Sequence, residues 1–269
     1  MIAQVAFDFL WRKLADMRFG LFLFSCICLG TGVAGAMDYN AVVLDQIRRM
    51  PAAGGYSTAQ PAHDALRAAI QPGSMFLQVH SRAVRPSYCS GATYLVFLES
   101  LNRLAAARKL YLSEEVQQAL ILQYPHPDGL GVWGRWNANG PGTARLFYET
   151  GMGENFVDPE RARPGDFLKI FWTDAVGRDE RGHLVVFMGF GERAGKPTVR
   201  YWSSNKPDGF SMKETDLDQC ANMIFSRLTR PERISAVVRL PEKDAYLASL
   251  LKEPSSFREA CLKSGIPLP

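Results

Sequence analysis

Cysteine and histidine are scarce in this sequence, which has five cysteines and four histidines among 269 residues. The Cys, His, Asp and Glu residues do not cluster at the spacing of metal ligands, and the sequence contains no glycine-rich phosphate loop. Lysine and arginine form no block, and the net charge of +4 is only mildly basic. We therefore expect no cofactor, no metal site and no nucleic-acid partner.

The sequence has one long apolar run, and it lies near the N-terminus. Residues 19–36 are apolar and end in small residues that fit the cleavage site of a signal peptidase. The run is short for a membrane span, so we predict a signal peptide over residues 1–36 with cleavage after about Ala36. The alternative is an uncleaved membrane anchor. Translation starts at either Met1 or Met17.

Export would place the mature chain, residues 37–269, in the periplasm or outside the cell, without a stable membrane anchor. Its cysteines are Cys89, Cys220 and Cys261. In an oxidising compartment a pair and one leftover thiol are expected. We predict a disulfide between Cys220 and Cys261, each on a predicted amphipathic helix, which would close a loop of about 40 residues. The alternative is that all three cysteines are reduced and buried.

The remaining thiol lies where a loop becomes a helix. Pro86 disfavours helix before it, Ser87 is a candidate N-cap, and apolar residues then recur at helical spacing. Cys89 is therefore predicted in the first turn, where free backbone N–H groups and the helix dipole favour a thiolate. The three residues after it are small and would leave the sulfur open to a substrate.

Three apolar strands are predicted in the middle of the chain, over residues 167–172, 183–190 and 198–205. Short turns with glycine join them, which indicates an antiparallel meander. His183 opens the second strand and Asn205 closes the third. Because neighbouring antiparallel strands run in opposite directions, these two ends are expected to lie close together.

A cysteine, a histidine and a third polar residue form the set that nucleophilic acyl transfer requires. The Cys89 thiolate would attack an acyl carbonyl, and the His183 imidazole would hold the ion pair and protonate the leaving amine. Asn205 is the expected orienter of the ring, with Ser203 and Ser204 as alternatives. Backbone N–H groups at the helix start would stabilise the oxyanion. The set predicts a cysteine hydrolase.

A long glycine-rich segment, residues 128–154, lies between the predicted nucleophile helix and the strands. A loop of this length in a compact domain is usually functional or disordered. Tryptophans beside amides suit a groove for sugars or peptides, so Trp133, Trp136, Asn137 and Asn139 are candidate substrate-binding residues. The alternative is that the tryptophans only fix the loop to the body of the protein.

Three motifs, in this order along the chain, resemble those of a known family. They are Tyr88-Cys89-Ser90-Gly91, Arg163-Pro164-Gly165-Asp166-Phe167 and Gly182-His183-Leu184-Val185-Val186-Phe187-Met188-Gly189. The sequence resembles the NlpC-type and CHAP-type papain-like cysteine peptidases of bacteria over roughly residues 74–210. The resemblance implies an α+β papain-like fold, in which N-terminal helices, including the nucleophile helix, pack on an antiparallel sheet.

The resemblance also implies an activity, which is hydrolysis of peptide amide bonds in peptidoglycan. By position, Cys89 matches the nucleophile and His183 the base, and Asn205 is the best match to the third polar residue. Tyr88 and Ser90, on either side of the nucleophile, are then expected to contact substrate. The sequence does not identify any inhibitor protein as a partner.

The sequence departs from the family pattern in three respects. The gap between Cys89 and His183 is longer, Tyr88 replaces a frequent aspartate, and a C-terminal extension over residues 211–269 is present. We predict that the extension is largely helical, with a helix through residues 217–228, and that it packs on the core as one domain. Two alternatives stay open, which are a non-catalytic wall-binding or interaction protein on a degenerate papain-like fold and an acyltransferase that uses the same thiol.

Overall fold

Helices and a large antiparallel sheet make up the structure, a computed structural model that describes residues 38–123 and 127–267. The predicted signal peptide lies outside the described residues. The described part of the chain contains eight α-helices. They are α1 (Tyr39–Arg49), α2 (Gln60–Ala68), α3 (Cys89–Ala106), α4 (Glu114–Leu120), α5 (Gly131–Trp136), α6 (Gly142–Thr150), α7 (Ala245–Ser249) and α8 (Phe257–Lys263). None of the described helices is both long and apolar enough to span a membrane.

The strands are numbered along the chain. They are β1 (Ala53–Gly54), β2 (Ile70–Gln71), β3 (Gln78–Val79), β4 (Gly153–Phe156), β5 (Phe167–Phe171), β6 (Val176–Gly177), β7 (Gly182–Arg193), β8 (Lys196–Asn205), β9 (Gly209–Asp216), β10 (Asn222–Leu228) and β11 (Pro254–Ser255). One sheet has seven strands in the order β1-β9-β8-β7-β5-β10-β4, and all its neighbours are antiparallel. The predicted mixed α+β class and the meander of β5, β7 and β8 are confirmed.

Strand β7 is central because both of its faces are covered by apolar side chains. Leu184 and Val186 pack in the larger hydrophobic cluster with α3, and Val185 and Phe187 pack in a second cluster on the opposite face. The alternation follows from the pleat of the strand. The sequence predicts this central position, since the run is apolar on both faces.

Helix α3 begins one residue later than a cap at Ser87 would require. Tyr88 occupies the N-cap position and Cys89 is the first helical residue. The predicted cap is wrong because Ser87 is held in extended form. Its N–H donates to the carbonyl of Gly55 at 3.1 Å, and its carbonyl accepts from the N–H of Ser57 at 2.9 Å.

The glycine-rich segment 128–154 contains the two helices α5 and α6, so the prediction of a long loop is wrong. Its glycines allow close packing rather than flexibility. A Cβ atom at Gly134, inside α5, would lie 2.5 Å from the carbonyl oxygen of Pro127. The chain around Pro127 therefore passes directly over α5.

The predicted helical extension over residues 211–269 is only partly right: residues 211–216 and 222–228 belong to strands β9 and β10 of the sheet, and the described residues after them contain a 3-10 helix (Pro231–Arg239), α7 and α8. Residues 217–228, predicted as a helix, contain β10, which lies between β5 and β4. Ile224 and Phe225 are both buried but belong to clusters on opposite faces. The apolar spacing of this segment fits a helix equally well, which explains the error.

The predicted disulfide between Cys220 and Cys261 is wrong, because both are free thiols in the structure. Cys220 packs in the cluster that contains Leu168, and Cys261 is buried in the cluster that contains Phe171. Leu168 and Phe171 point to opposite faces of β5, so the sheet separates the two thiols. Burial raises the pKa of Cys261 to about 11, and burial with the charge of Asp218 raises that of Cys220 to about 12.

A buried carboxylate, Asp166, connects the start of β5 to two other elements. Its Oδ1 and Oδ2 accept from the guanidinium of Arg227 in β10 at 2.8 and 2.7 Å. Oδ1 also accepts from Nδ2 of Asn40 in α1 at 2.7 Å. Gly165 has φ +98°, and a Cβ atom there would lie 2.8 Å from the carbonyl oxygen of Asn40. The Pro-Gly-Asp motif is thus the junction of α1, β5 and β10.

We predict that Asp166→Asn will lower the free energy of unfolding by about 3–5 kcal/mol, because the variant leaves the buried part of the Arg227 guanidinium without its counter-charge. Urea denaturation followed by circular dichroism measures the loss. The matched control is Asp64→Asn, which removes the carboxylate of a surface pair with Arg67 and should change stability by less than about 0.5 kcal/mol. Equal effects of the two substitutions would contradict this role of Asp166.

Candidate active site

The first residue of α3, Cys89, faces the ends of two neighbouring strands. Its side chain is hydrogen-bonded to the ring of His183, which lies at the start of β7. Nε2 of that ring lies 2.9 Å from Oδ1 of Asn205, the last residue of β8. The antiparallel register, with Val186 opposite Trp202, brings these two strand ends together. The structure therefore connects the three residues that the sequence predicts as a set.

The hydrogen bonds of Asn205 determine the tautomer of His183. Nδ2 of Asn205 lies 2.9 Å from the carbonyl oxygen of Ser211 and 3.3 Å from that of Ser203, and a carbonyl oxygen can only accept. Oδ1 of Asn205 therefore faces the ring, and Nε2 of His183 donates to it. Nδ1 is left to face the sulfur of Cys89, where it can receive and return a proton.

Aromatic rings hold the imidazole in this orientation. Trp172 is stacked on His183 with ring centroids 6.2 Å apart, and Tyr201 meets it edge-on at 5.6 Å. Asn205 itself is buried. These contacts limit rotation of the ring and keep its hydrogen bond to Asn205 away from bulk water.

The surroundings of Cys89 favour the thiolate. Burial raises the pKa of the thiol, but the hydrogen bond and charge of His183, the backbone N–H of Leu184 and the charge of Lys169 outweigh burial. Together they lower the pKa of Cys89 to about 6. A thiol with this pKa is mostly ionised at neutral pH, which is the state in which it is a nucleophile.

A tyrosine that the sequence does not single out, Tyr56, contacts the same sulfur. The backbone of Tyr56 pairs with that of Ser87 in a short parallel bridge, and this pairing places Tyr56 beside the start of α3. Burial, the charge of Cys89 and the hydrogen bond to Cys89 all raise the pKa of Tyr56 above its ordinary value. The phenol therefore keeps its proton and donates to the sulfur.

Neither of the two alternative orienters is hydrogen-bonded to His183. The hydroxyl of Ser203 donates to the carbonyl of Leu184 at 2.9 Å. The hydroxyl of Ser204 is buried and has no partner within the described residues. Of the three candidates, the structure places only Asn205 in contact with His183.

Cys89 lines a cavity of about 340 Å³. The described residues around it are Tyr56, Thr58, His63, Tyr88, Cys89, Ser90, Asp128, Trp136, Asn137, Ala138, Asn139, Gly140, Gly142, Thr143, Lys169, Glu180, Gly182, Leu184 and Leu251. One wall comes from the loop before α2 together with α2 and the start of α3. The other wall comes from the segment around α5 and from β5 and the turn before β7. The cavity is large enough for a few residues of a peptide-like substrate.

Most residues predicted to bind substrate do line this cavity. Tyr88, Ser90, Asn137 and Asn139 are among them, and the hydroxyl of Ser90 donates to Oδ1 of Asn137 at 2.5 Å. Trp136 also reaches the cavity, but it is only 1% exposed. Its indole N–H donates to the carbonyl of Ser90 at 3.2 Å, so its main contact is with α3.

Trp133 has no part in the cavity wall. It is 4% exposed and packs against Tyr88 and Tyr94, with ring centroids 6.3 and 5.1 Å away. A buried ring cannot stack on a ligand, so the prediction that this tryptophan contacts substrate is wrong. The alternative expectation, that the tryptophans fix the segment to the body of the protein, describes it better.

Sequence reasoning missed several other cavity residues. Nδ1 of His63 lies 2.8 Å from the Tyr88 hydroxyl, yet no motif surrounds it in the sequence. Asp128 and Glu180 lie in turns where acidic residues are common. Lys169 did carry a signal, because it is a charged residue inside the apolar run of β5.

Comparisons with known proteins assign the chain to no family. No family model matches it, and no curated protein and no solved structure matches it. In the parts of the chain that the structure describes, no group of three or more His, Cys, Asp and Glu residues is arranged to hold a metal ion. The function is therefore argued from the geometry of the site.

We predict that alkylation of Cys89 by iodoacetamide will reach half its maximal rate near pH 6, because the lowered pKa leaves the thiolate populated above that pH. Cys220 and Cys261, with pKa values of about 12 and about 11, should react slowly up to pH 9. Peptide mass spectrometry measures the three rates in one sample. A midpoint for Cys89 at or above the ordinary value of about 8.5 would contradict this electrostatic account.

The same assay tests the cause of the shift. His183→Ala removes the largest influence that opposes burial, so the midpoint for Cys89 should move above its ordinary value. The matched control is His80→Ala, which removes an exposed histidine outside the cavity and should leave the midpoint unchanged. An unshifted midpoint in His183→Ala would show that another group ionises the thiol.

Proposed function

We propose that the protein is a cysteine hydrolase that cleaves peptide amide bonds through an acyl-enzyme on Cys89. The observation that carries the proposal is the continuous contact from the Cys89 sulfur through the His183 ring to the Asn205 amide. A thiol at the start of a helix, a histidine whose other nitrogen is held, and an open cavity are what this chemistry requires.

The first half-reaction follows from the placement of these groups. The Cys89 thiolate attacks the amide carbonyl carbon, and a tetrahedral intermediate with a negatively charged oxygen forms. The protonated Nδ1 of His183 then gives its proton to the departing amine nitrogen as the C–N bond breaks. Asn205 keeps the ring in place while it changes charge.

Two donors are available to the charged oxygen of the intermediate. The backbone N–H of Cys89 is at the free start of α3, where no intrahelical acceptor exists. The hydroxyl of Tyr56 donates to the sulfur in the resting site, and in this proposal it turns to the oxygen once the sulfur is bonded to the carbonyl carbon. Donors fixed before the reaction stabilise such an oxyanion at little cost of reorganisation.

The second half-reaction needs only water and the same histidine. After the amine leaves, neutral His183 takes a proton from a water molecule that attacks the thioester carbonyl. The C–S bond breaks, the free acid departs and the thiolate is restored. An acyltransferase would use an amine or an alcohol in place of water, and the acyl-enzyme would be the same.

The substrate part of the proposal is peptidoglycan, with a papain-like fold of the NlpC or CHAP type and export from the cytoplasm. It is supported by the three ordered motifs, by the α+β arrangement in which α3 packs on an antiparallel sheet, and by the apolar run at the N-terminus. The cavity combines asparagine, threonine and charged side chains with aromatic and aliphatic ones, a mixture that suits a peptide better than a lipid.

We predict that the purified chain will release soluble muropeptides from peptidoglycan sacculi and create new amine and carboxyl ends. Cys89→Ala should lower this activity on the order of 10³-fold or more, because the nucleophile is lost. The matched control is Cys220→Ala, which removes a thiol outside the cavity and should retain activity. Liquid chromatography with mass spectrometry identifies the bond that is cut.

Three results would contradict the proposal. Full activity in Cys89→Ala would show that the thiol is not the nucleophile. Tight binding of sacculi without release of fragments, by a wild-type chain in which Cys89 alkylates slowly, would indicate a wall-binding protein instead. Release of fragments that carry an added amine instead of a new carboxyl end would identify a transferase.

A further inference from the structure

Three charged side chains line one side of the cavity, and two of them neutralise each other. Nζ of Lys169 lies 2.6 Å from Oε1 of Glu180, and both groups are largely buried. Oε2 of Glu180 accepts from the backbone N–H of Gly140 at 2.6 Å and of Gly177 at 3.0 Å. Glu180 is thus fully engaged in holding Lys169 and two loops.

The third charged side chain, Asp128, has no such counter-charge. It is 8% exposed, and its Oδ2 accepts from the backbone N–H of Asn139 at 2.9 Å. Its Oδ1 has no hydrogen-bond partner among the described residues, although Asp128 lines the cavity. Burial is the main influence that raises the pKa of this carboxyl, against the N–H of Asn139 and the charge of Lys169.

The position of Asp128 is set by the packing around α5. The N–H of Gly129 donates to the carbonyl of Gly134 at 2.8 Å, and the N–H of Asn139 donates to the Asp128 carboxylate. The segment before α5 and the segment after it are therefore tied to each other. Asp128 is held at the wall and is not a surface side chain that happens to lie near the opening.

The charges of the cavity then leave one negative charge unbalanced. The Cys89 thiolate is balanced by His183, and Lys169 is balanced by Glu180, so the remaining charge among the described lining residues is the Asp128 carboxylate. A largely buried carboxylate that has one backbone donor but no paired counter-charge among the described residues is costly to ionise, and such a group in a cavity is typical of a functional site. An ammonium group is the ligand that restores the balance and forms a charge-assisted hydrogen bond.

We propose that Asp128 forms a subsite for a primary ammonium group of the substrate, carried close to the amide bond that Cys89 attacks. This inference rests on the proposed function and narrows its substrate class to peptides with a free amine near the scissile bond. Lys169 forms its ion pair with Glu180, so the favourable influence of its charge on Asp128 is opposed by the charge of Glu180. The subsite is a specificity device and takes no part in the chemistry.

Three methanethiosulfonate reagents test the subsite without a known substrate. They carry a 2-aminoethyl, a methyl or a 2-sulfonatoethyl group, which are cationic, neutral and anionic. The Cys89 thiolate attacks the sulfenyl sulfur, a mixed disulfide forms and methanesulfinate leaves. The measured quantity is the ratio of the cationic to the anionic labelling rate at Cys89, divided by the same ratio for 2-mercaptoethanol.

For the wild-type chain we expect a normalised ratio well above one, and for Asp128→Asn a ratio lower by about tenfold, as removal of one nearby charge would produce. Asp128→Glu should keep most of the preference. The matched control is Asp45→Asn, which removes a carboxylate in α1 that lies outside the cavity and pairs with Arg48 and Arg49, and it should leave the ratio unchanged. Fast labelling of each variant by the neutral reagent at pH 6 verifies that the site is folded.

The outcomes separate this inference from the proposed function. Fast labelling of Cys89 with the same ratio in wild type and Asp128→Asn would overturn the subsite and leave the hydrolase proposal intact. A wild-type preference for the anionic reagent that Asp128→Asn does not alter would overturn it as well. Slow labelling by all three reagents in the wild type would overturn the proposed function, and the subsite with it.

Discussion

A half-buried thiol stays ionised only where fixed donors and charges replace the water that it has lost, and the described chain is arranged around that requirement at Cys89. Burial alone would raise the pKa of the thiol, and the groups that reverse this come from separate elements: His183 and Leu184 from β7 and Lys169 from β5. Each must approach the same sulfur. The register of the central strands and the position of the first residue of α3 therefore cannot vary independently.

The packing of α3 on the sheet is the means by which this position is maintained. Phe97 of α3 is stacked on Trp136 at 4.7 Å, and Trp136 meets Phe167 of β5 edge-on at 5.2 Å. Arg135, which is fully buried, donates to Glu149 at 2.8 Å and to three backbone carbonyls. Residues 128–139 thus pack against α3 and β5 through Trp136, while Asp128, Asn137 and Asn139 of the same segment form part of the cavity wall. One segment therefore supplies both packing against α3 and part of the cavity wall.

Much of the site could be predicted because its signals are local. The helix start at Cys89, the central strand that begins at His183 and the end of the next strand at Asn205 all follow from short patterns of apolar and polar residues. Tyr56 could not be predicted, because only the pairing of its backbone with Ser87 brings it to the sulfur. The separation of Cys220 and Cys261 could not be predicted either: the expected oxidising compartment and the cysteine count favoured a pair, but the sheet separates the two thiols. The apolar spacing of residues 217–228 suits both a helix and a strand that is buried on both faces, so it does not distinguish the two structures.

The central claim is that Cys89 carries a covalent acyl intermediate, and intact-mass spectrometry after rapid acid quench tests it most directly. Wild-type chain mixed with peptidoglycan fragments should show an added mass equal to the acyl part of the fragment, located on Cys89 as a thioester that hydroxylamine removes. Burst kinetics of amine release would accompany it. Turnover of the same fragments with no adduct at any quench time, and with Cys89 still open to alkylation throughout, would contradict the account.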